Sequence, residues 1–126
     1  MIKKALIVVA HGSKKSKSNE EFVELCEKIR CENSSKFHVI TYAFLEFETP
    51  NIAMAIENMS NKSIDKLYIY PYFLNYGKHV SVDIPNIISD LEKFYTNIDI
   101  ELLNHFGSSK KIASIISDDL KLQFSL

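Results

Sequence analysis

His11 closes the apolar run ALIVVA (Ala5 to Ala10), and His79 lies in the loop after a later run, KLYIYPYFL (Lys66 to Leu74). Glu46 and Glu48 follow FHVITYAFL (Phe37 to Leu45), and His105 follows IDIELL (Ile98 to Leu103). Imidazole is the commonest protein ligand for borderline first-row divalent ions, and a carboxylate can complete such a site or accept protons. Two histidines with few other ligands hold an ion loosely. That is unsuited to a structural metal, which wants a closed shell, and suited to an ion that is handed on. Glu46 is the favoured carboxylate, because Glu48 is equally accounted for as a negative charge near the start of the following helix.

Each residue has a plainer reading. A lone histidine at a strand end is commonly a hydrogen-bonded structural residue, and His38, at the start of its run, is read that way. What favours a shared site for His11 and His79 is that both fall at carboxyl ends of strand-like runs, the edge where open parallel sheets bind ligands. The segment HGSKKS is not a Walker loop, since the second glycine before the lysine is absent, and G-x-G-x-x-G is absent too. It does lead into a helix N-terminus, which favours anions. Gly12, Ser13 and Lys14, with Lys15, would extend that preference to a carboxylate-bearing ligand; a solvated surface explains the lysines as well. Phe73 and Tyr76, with Phe44 and Phe47, are candidates to wall a flat apolar ligand. Gly77 is expected to free the chain so that His79 reaches inward.

The elements that must position these groups alternate. ALIVVA is apolar throughout, as in a strand covered on both faces. Phe22, Leu25, Cys26 and Ile29 form a stripe at i, i+3, i+4 and i+7, predicting a helix over about 19–31. Pro50 suits the first turn of a second helix, whose buried side is Ile52, Ile56 and Met59. Asp83 and Pro85 read as cap and first turn of a third, with Ile84, Ile87, Ile88 and Leu91 inward. Ser108 or Ser109 is expected to cap a fourth, with Ile112, Ile115, Ile116 and Leu120 facing the core. The order β-α-β-α-β-α-β-α implies an α/β fold, a four-stranded parallel sheet with helices on both faces, in one domain spanning 1–126.

Composition narrows the function classes. The 126 residues are 46% hydrophobic and 25% charged, as in an ordinary globular protein, and the net charge of −1 gives no footprint for nucleic acid. No apolar run approaches the ~20 residues that cross a bilayer, and MIKKALIVVA reads better as a first strand than as a leader. The cytoplasm is the expected compartment. The two cysteines, Cys26 and Cys31, have neither C-x-x-C spacing nor a second pair, and read as a core residue and a helix-end thiol.

Three segments, AHGS after the first strand, FLEFETPNI after the second and PYFLNYGKHVSVDIP after the third, together resemble the sirohydrochlorin chelatases. The short, single-domain members are the more similar, along almost the whole chain. The resemblance implies a chelatase-like fold (half of a two-domain enzyme, flavodoxin-like in layout) and insertion of cobalt, nickel or iron into sirohydrochlorin, with cobalt favoured, on the routes to cobalamin and siroheme. It implies metal binding by His11 and His79, an acidic role for Glu46, and a homodimer. The divalent ion would be a substrate, with no permanently bound cofactor. Ser13, Lys14 and Lys78 are the donors expected for the ring's carboxylates. Many relatives carry a histidine just beyond the glycine of the fourth loop; here Gly107 is followed by Ser108 and Ser109. Two rivals use similar parts: a metal or tetrapyrrole carrier with the same histidines, and a receiver-like nucleotide or signalling domain, which would need a phosphate loop or acidic pocket where this chain has His-Gly-Ser.

Overall fold

The computed structural model describes residues 2–124; Met1, Ser125 and Leu126, within the span expected to form one domain, lie outside the described residues. Four strands, β1 (Lys4–Ala10), β2 (Val39–Phe44), β3 (Lys66–Pro71) and β4 (Asp99–Leu102), pair in parallel in the order β2-β1-β3-β4. β1 runs between two neighbours and is buried from Ala5 to Ala10, which is why its sequence is apolar without alternation.

Side-chain parity divides the core in two. Ala5, Ile7 and Val9 of β1, with Leu67 and Ile69 of β3, point to one face, covered by α2 (Ile52–Met59) and α3 (Ile84–Phe94). Leu6, Val8 and Ala10 point to the other, where α1 (Ser16–Glu32) supplies Phe22 and Cys26. In α2 the expected stripe holds, with Ile52, Ala55, Ile56 and Met59 all buried. Helices therefore lie on both faces, as expected. A π-helical turn, His79–Asp83, leads into α3.

Several local expectations need correction. Pro50 precedes the second helix instead of opening it: Asn51 is the cap, its side chain accepting from Met54 N–H at 2.9 Å. Neither Ser108 nor Ser109 caps the last helix, α4 (Ile112–Gln123); Ser108 Oγ bonds the His105 carbonyl and Ser109 Oγ accepts from Lys111 N–H. Most importantly, α4 does not face the core. Ile115, Ile116 and Leu120 are each about half exposed, and no residue of this helix is buried. A stripe shows that a helix is amphipathic, not what covers it.

Candidate metal centre

In the order β2-β1-β3-β4 the chain first moves from β1 to one side and then returns to the other, so the topological switch lies between β1 and β3. Their carboxyl ends flank the crevice where such sheets bind ligands. His11 follows β1 and His79 opens the π-helical turn after β3, so one crevice receives both. The two rings stand 4.6 Å apart between centroids, tilted by 54°.

The loop after β1 is built to hold this position. Gly12 has φ +91°, and a Cβ there would stand 1.9 Å from the Glu46 carbonyl oxygen. Glycine is thus required both by the backbone conformation and by the close approach of the two loops. That approach is fixed by Glu46 N–H donating to the His11 carbonyl at 2.8 Å. Asn19, almost fully buried, straps the loop to α1: its Oδ1 accepts from Ser13 N–H and its Nδ2 donates to the Ser13 carbonyl.

Both histidines have one nitrogen committed. Nδ1 of His11 lies 2.9 Å from the Gly12 carbonyl, an acceptor only, so Nδ1 carries the proton. Its Nε2 stands 3.0 Å from Glu46 Oε2. A hydrogen bond there needs a second proton, which a cation binding Nε2 would displace. The same separation suits two neighbouring ligands of one ion, since donors about 2.1 Å from a metal and at right angles are about 3 Å apart. Nδ1 of His79 donates to Asp83 Oδ2 at 2.8 Å, leaving Nε2 free. This carboxylate–imidazole pair is the kind that orients a metal-binding histidine. Asp83 makes no capping bond, contrary to expectation. The signal for its actual partner is the four-residue spacing from His79, which puts both side chains on one helical face.

Glu46, His79, Asp83 and Asn86 line a cleft of about 340 Å³ with Leu45 and Ile87. Phe47, at φ +68°, sets its ring 5.9 Å from that of His11 and is 55% exposed; Lys14 Nζ lies 5.4 Å from the Phe47 centroid. Phe73 is half-buried, 6.2 Å from the His79 ring, and Tyr76 is exposed beside His105 at 5.6 Å. Other expected members stand apart. Phe44 is buried against Phe22 and Tyr42 beneath α1, so it is core and not a ligand wall. Ser13 Oγ accepts from Lys15 N–H, which leaves its O–H to donate, and Lys78 is exposed at the start of the π turn. Gly77 adopts no positive φ and has room for a Cβ, so its conformational freedom is not what presents His79. Glu48 accepts from Thr49 N–H, and the His105 ring is tilted against that of Tyr76. Among the described residues, no group of three or more His, Cys, Asp or Glu side chains encloses a metal position, and no helix is long and apolar enough to cross a membrane.

The CbiX family model matches residues 5–122. A sirohydrochlorin cobaltochelatase of Methanocaldococcus jannaschii is 32% identical over 88 residues, covering 70% of this chain and 60% of its own length. Among solved structures, a sirohydrochlorin chelatase, SirB, of Bacillus subtilis subspecies spizizenii, in complex with cobalt, matches with a TM-score of 0.84 at 24% identity, over 95% of this chain and 50% of that one. A CbiX protein of Marinobacter aquaeolei, described as one of cobalamin biosynthesis, matches at a TM-score of 0.81 and 23% identity over 97% and 98%. The chain thus spans 60% of the curated relative and half of SirB, and these structural likenesses carry the fold. With the family model covering nearly all of the described sheet and helices, the chain belongs to the CbiX family.

Proposed function

We propose that this protein is a sirohydrochlorin chelatase, inserting Co²⁺, Ni²⁺ or Fe²⁺ into the ring, with cobalt the favoured ion. The observation that carries the reading is the pair of imidazoles, 4.6 Å apart at the switch point, with Glu46 3.0 Å from one of them. Insertion requires stripping waters from the ion and removing two N–H protons from the ring. Nε2 of His79 and Nε2 of His11 replace waters on the ion. Of the two pyrrole protons, one passes to Glu46, or to Nε2 of His11 after that nitrogen has released the ion to the ring, and the other leaves to solvent; general-base help of this kind contributes ~10²–10⁴ in rate. Few protein ligands keep the ion labile. Relatives bearing sirohydrochlorin cobaltochelatase names support the same substrate.

The cleft is at the small end of the roughly 300–1,000 Å³ usual for small-molecule sites. A wide macrocycle therefore lies across its mouth, against exposed Phe47 and Tyr76, and a second copy of the chain closes the other side. We propose a homodimer for that reason, with the metal as substrate and no resident cofactor. The test is the absorbance change of sirohydrochlorin with each ion, for wild type, His11→Ala and His79→Ala. Wild type is expected to exceed background and both variants to fall to it. A wild-type rate equal to the uncatalysed mixture would reject the enzyme and leave a carrier.

A further inference from the structure

Two pairs of an aromatic ring with a nitrogen donor lie on the carboxyl rim, to either side of the histidines. In the loops after β1 and β2, Lys14 Nζ stands 5.4 Å from the Phe47 centroid. In the loops after β3 and β4, the His105 ring lies 5.6 Å from that of Tyr76, tilted by 43°. Neighbouring strands are about 4.8 Å apart, and the order is β2-β1-β3-β4. His105 therefore follows the strand next to the one that leads to His79. It is two strand spacings, ~10 Å, from the strand that leads to His11.

The loop that carries His105 is fixed. Gly107 N–H donates to the Phe73 carbonyl at 2.9 Å, and a Cβ on Gly107 would stand 1.6 Å from the Leu74 carbonyl oxygen. The fourth loop is thus clamped to the segment whose Phe73 ring packs 6.2 Å from that of His79. Ser108 closes the turn, its N–H and Oγ both donating to the His105 carbonyl, at 3.0 and 2.7 Å. Phe106 turns to Tyr72, which stacks on Phe22 of α1, whereas His105 turns to Tyr76. Among the described residues, His105 is hydrogen-bonded through its backbone and not through its ring nitrogens. The Tyr76 hydroxyl is likewise unpaired among them, on a residue 71% exposed.

An imidazole donates from at least one nitrogen in either tautomer, and a phenol donates from its hydroxyl. Among the described residues no carboxylate or thiol joins His105 in a metal-holding group, so the pair suits an anion and not a second ion. We propose that His105, with Tyr76 beside it, binds a peripheral carboxylate of the tetrapyrrole and sets affinity for the ring without touching the metal. The class of ligand rests on the chelatase reading; the station itself rests on the two free donors and the clamped loop. A flat ring lying over His11 and His79 has apolar faces and carries its carboxylates at the edge, so donors away from the ion fix its orientation. Ser13, Lys14 and Lys78 all belong to the loops after β1 and β3. With those alone the ring can pivot about the ion, and a donor beyond β4 removes that freedom.

Titration of the whole chain with metal-free sirohydrochlorin, followed by the ring's absorbance, tests the station. His105→Phe keeps a ring against Tyr76 and removes the donor. It is expected to weaken ring binding by about tenfold, the lower end for a hydrogen bond to a charged group, with no change in thermal midpoint. His105→Gln, which retains an N–H, is expected to recover part of that loss, and Tyr76→Phe to lose less than His105→Phe. In the cobalt insertion assay the KM for sirohydrochlorin of His105→Phe should rise while kcat holds, the mark of binding shared by ground and transition states. Its cobalt affinity without the ring should equal that of wild type. Ring affinity untouched in His105→Phe would overturn the station. So would a fall in cobalt affinity like that of His79→Ala, which would make His105 a metal ligand. Ring binding that weakens as expected in a protein inserting no metal leaves the station standing and removes the chelatase reading. Metal insertion with ring affinity indifferent to position 105 does the reverse.

Discussion

The two ends of the same four strands both carry charged and ring side chains, yet they are organised differently. At the amino ends Lys66 Nζ sits 2.8 Å from Asp99 and 3.1 Å from Glu101, and these carboxylates hold its ammonium well above the ordinary lysine range. Asp65 accepts from Lys3 N–H, and His38 N–H donates to the Lys4 carbonyl. Lys66 meets its opposite charges across adjacent strands, and Asp65 is satisfied by a backbone N–H. At the carboxyl ends His11, Glu46, His79 and Asp83 also pair, but His79 keeps a free nitrogen, with half-buried Phe73 beside it and exposed Phe47 beside His11. Polar density alone does not mark a site. An uncommitted lone pair beside unpartnered apolar surface does.

The largest way to break this contrast, short of removing a histidine, is Glu46→Gln. The amide fills the same space but cannot serve as proton acceptor. With sirohydrochlorin and Co²⁺ the insertion rate is expected to fall by ~10²–10⁴, while cobalt binding, followed by calorimetry, changes much less. A rate within a few fold of wild type would move the proton to His11.

That carboxyl edge is largely legible in the amino-acid sequence, and for a physical reason. Continuous and alternating apolar runs fix which residues end a strand, and parallel topology then assigns every strand's carboxyl end to one rim. What the sequence hides depends on partners. Asp83 stands at a helix start, where a cap and a histidine partner occupy the same few ångströms, so residue type cannot separate them. Phe44 sits at the right rim for a ligand wall, but strand parity sends it elsewhere: it shares a face with Tyr42 and Ile40, which pack with it in the α1 half of the core. The α4 stripe has the pattern of a buried helix and cannot reveal that its own sheet does not cover it.

A smaller effect is expected at Gly12. Alanine at φ +91° costs about 1–3 kcal/mol in backbone strain alone, and its Cβ also meets the Glu46 carbonyl. Gly12→Ala should therefore lower the denaturation midpoint and lose activity together. At Gly77, open around its Cα, alanine should do neither. Equal effects at the two glycines would contradict the loop-on-loop contact that aims Glu46 at His11.

Asp83→Asn probes the orientation of His79 while leaving an acceptor for its Nδ1–H. Loss of the carboxylate from a metal-binding histidine typically weakens metal affinity or activity by ~10–100-fold, and a value near the lower end is expected because the amide oxygen retains the hydrogen bond. Asp83→Ala should be worse and Asp83→Asn should recover part of the loss. If the role were only structural, both would lower thermal stability in proportion and leave the cobalt affinity of the folded protein unchanged.

The smallest expected effect comes from the opposite rim and sharpens the comparison most cleanly. His38 is the one histidine at an amino end, its Nδ1 3.4 Å from Lys4 N, at the limit of a hydrogen bond. It is exposed, so His38→Ala removes little packing, and substitutions of that kind usually stay within about 0.5 kcal/mol of neutral. The insertion rate and cobalt affinity of His38→Ala should match wild type, measured beside His79→Ala under the same conditions. A substantial loss at His38 would mean that imidazole at either rim supports the reaction, and position at the switch point would no longer be what selects the pair.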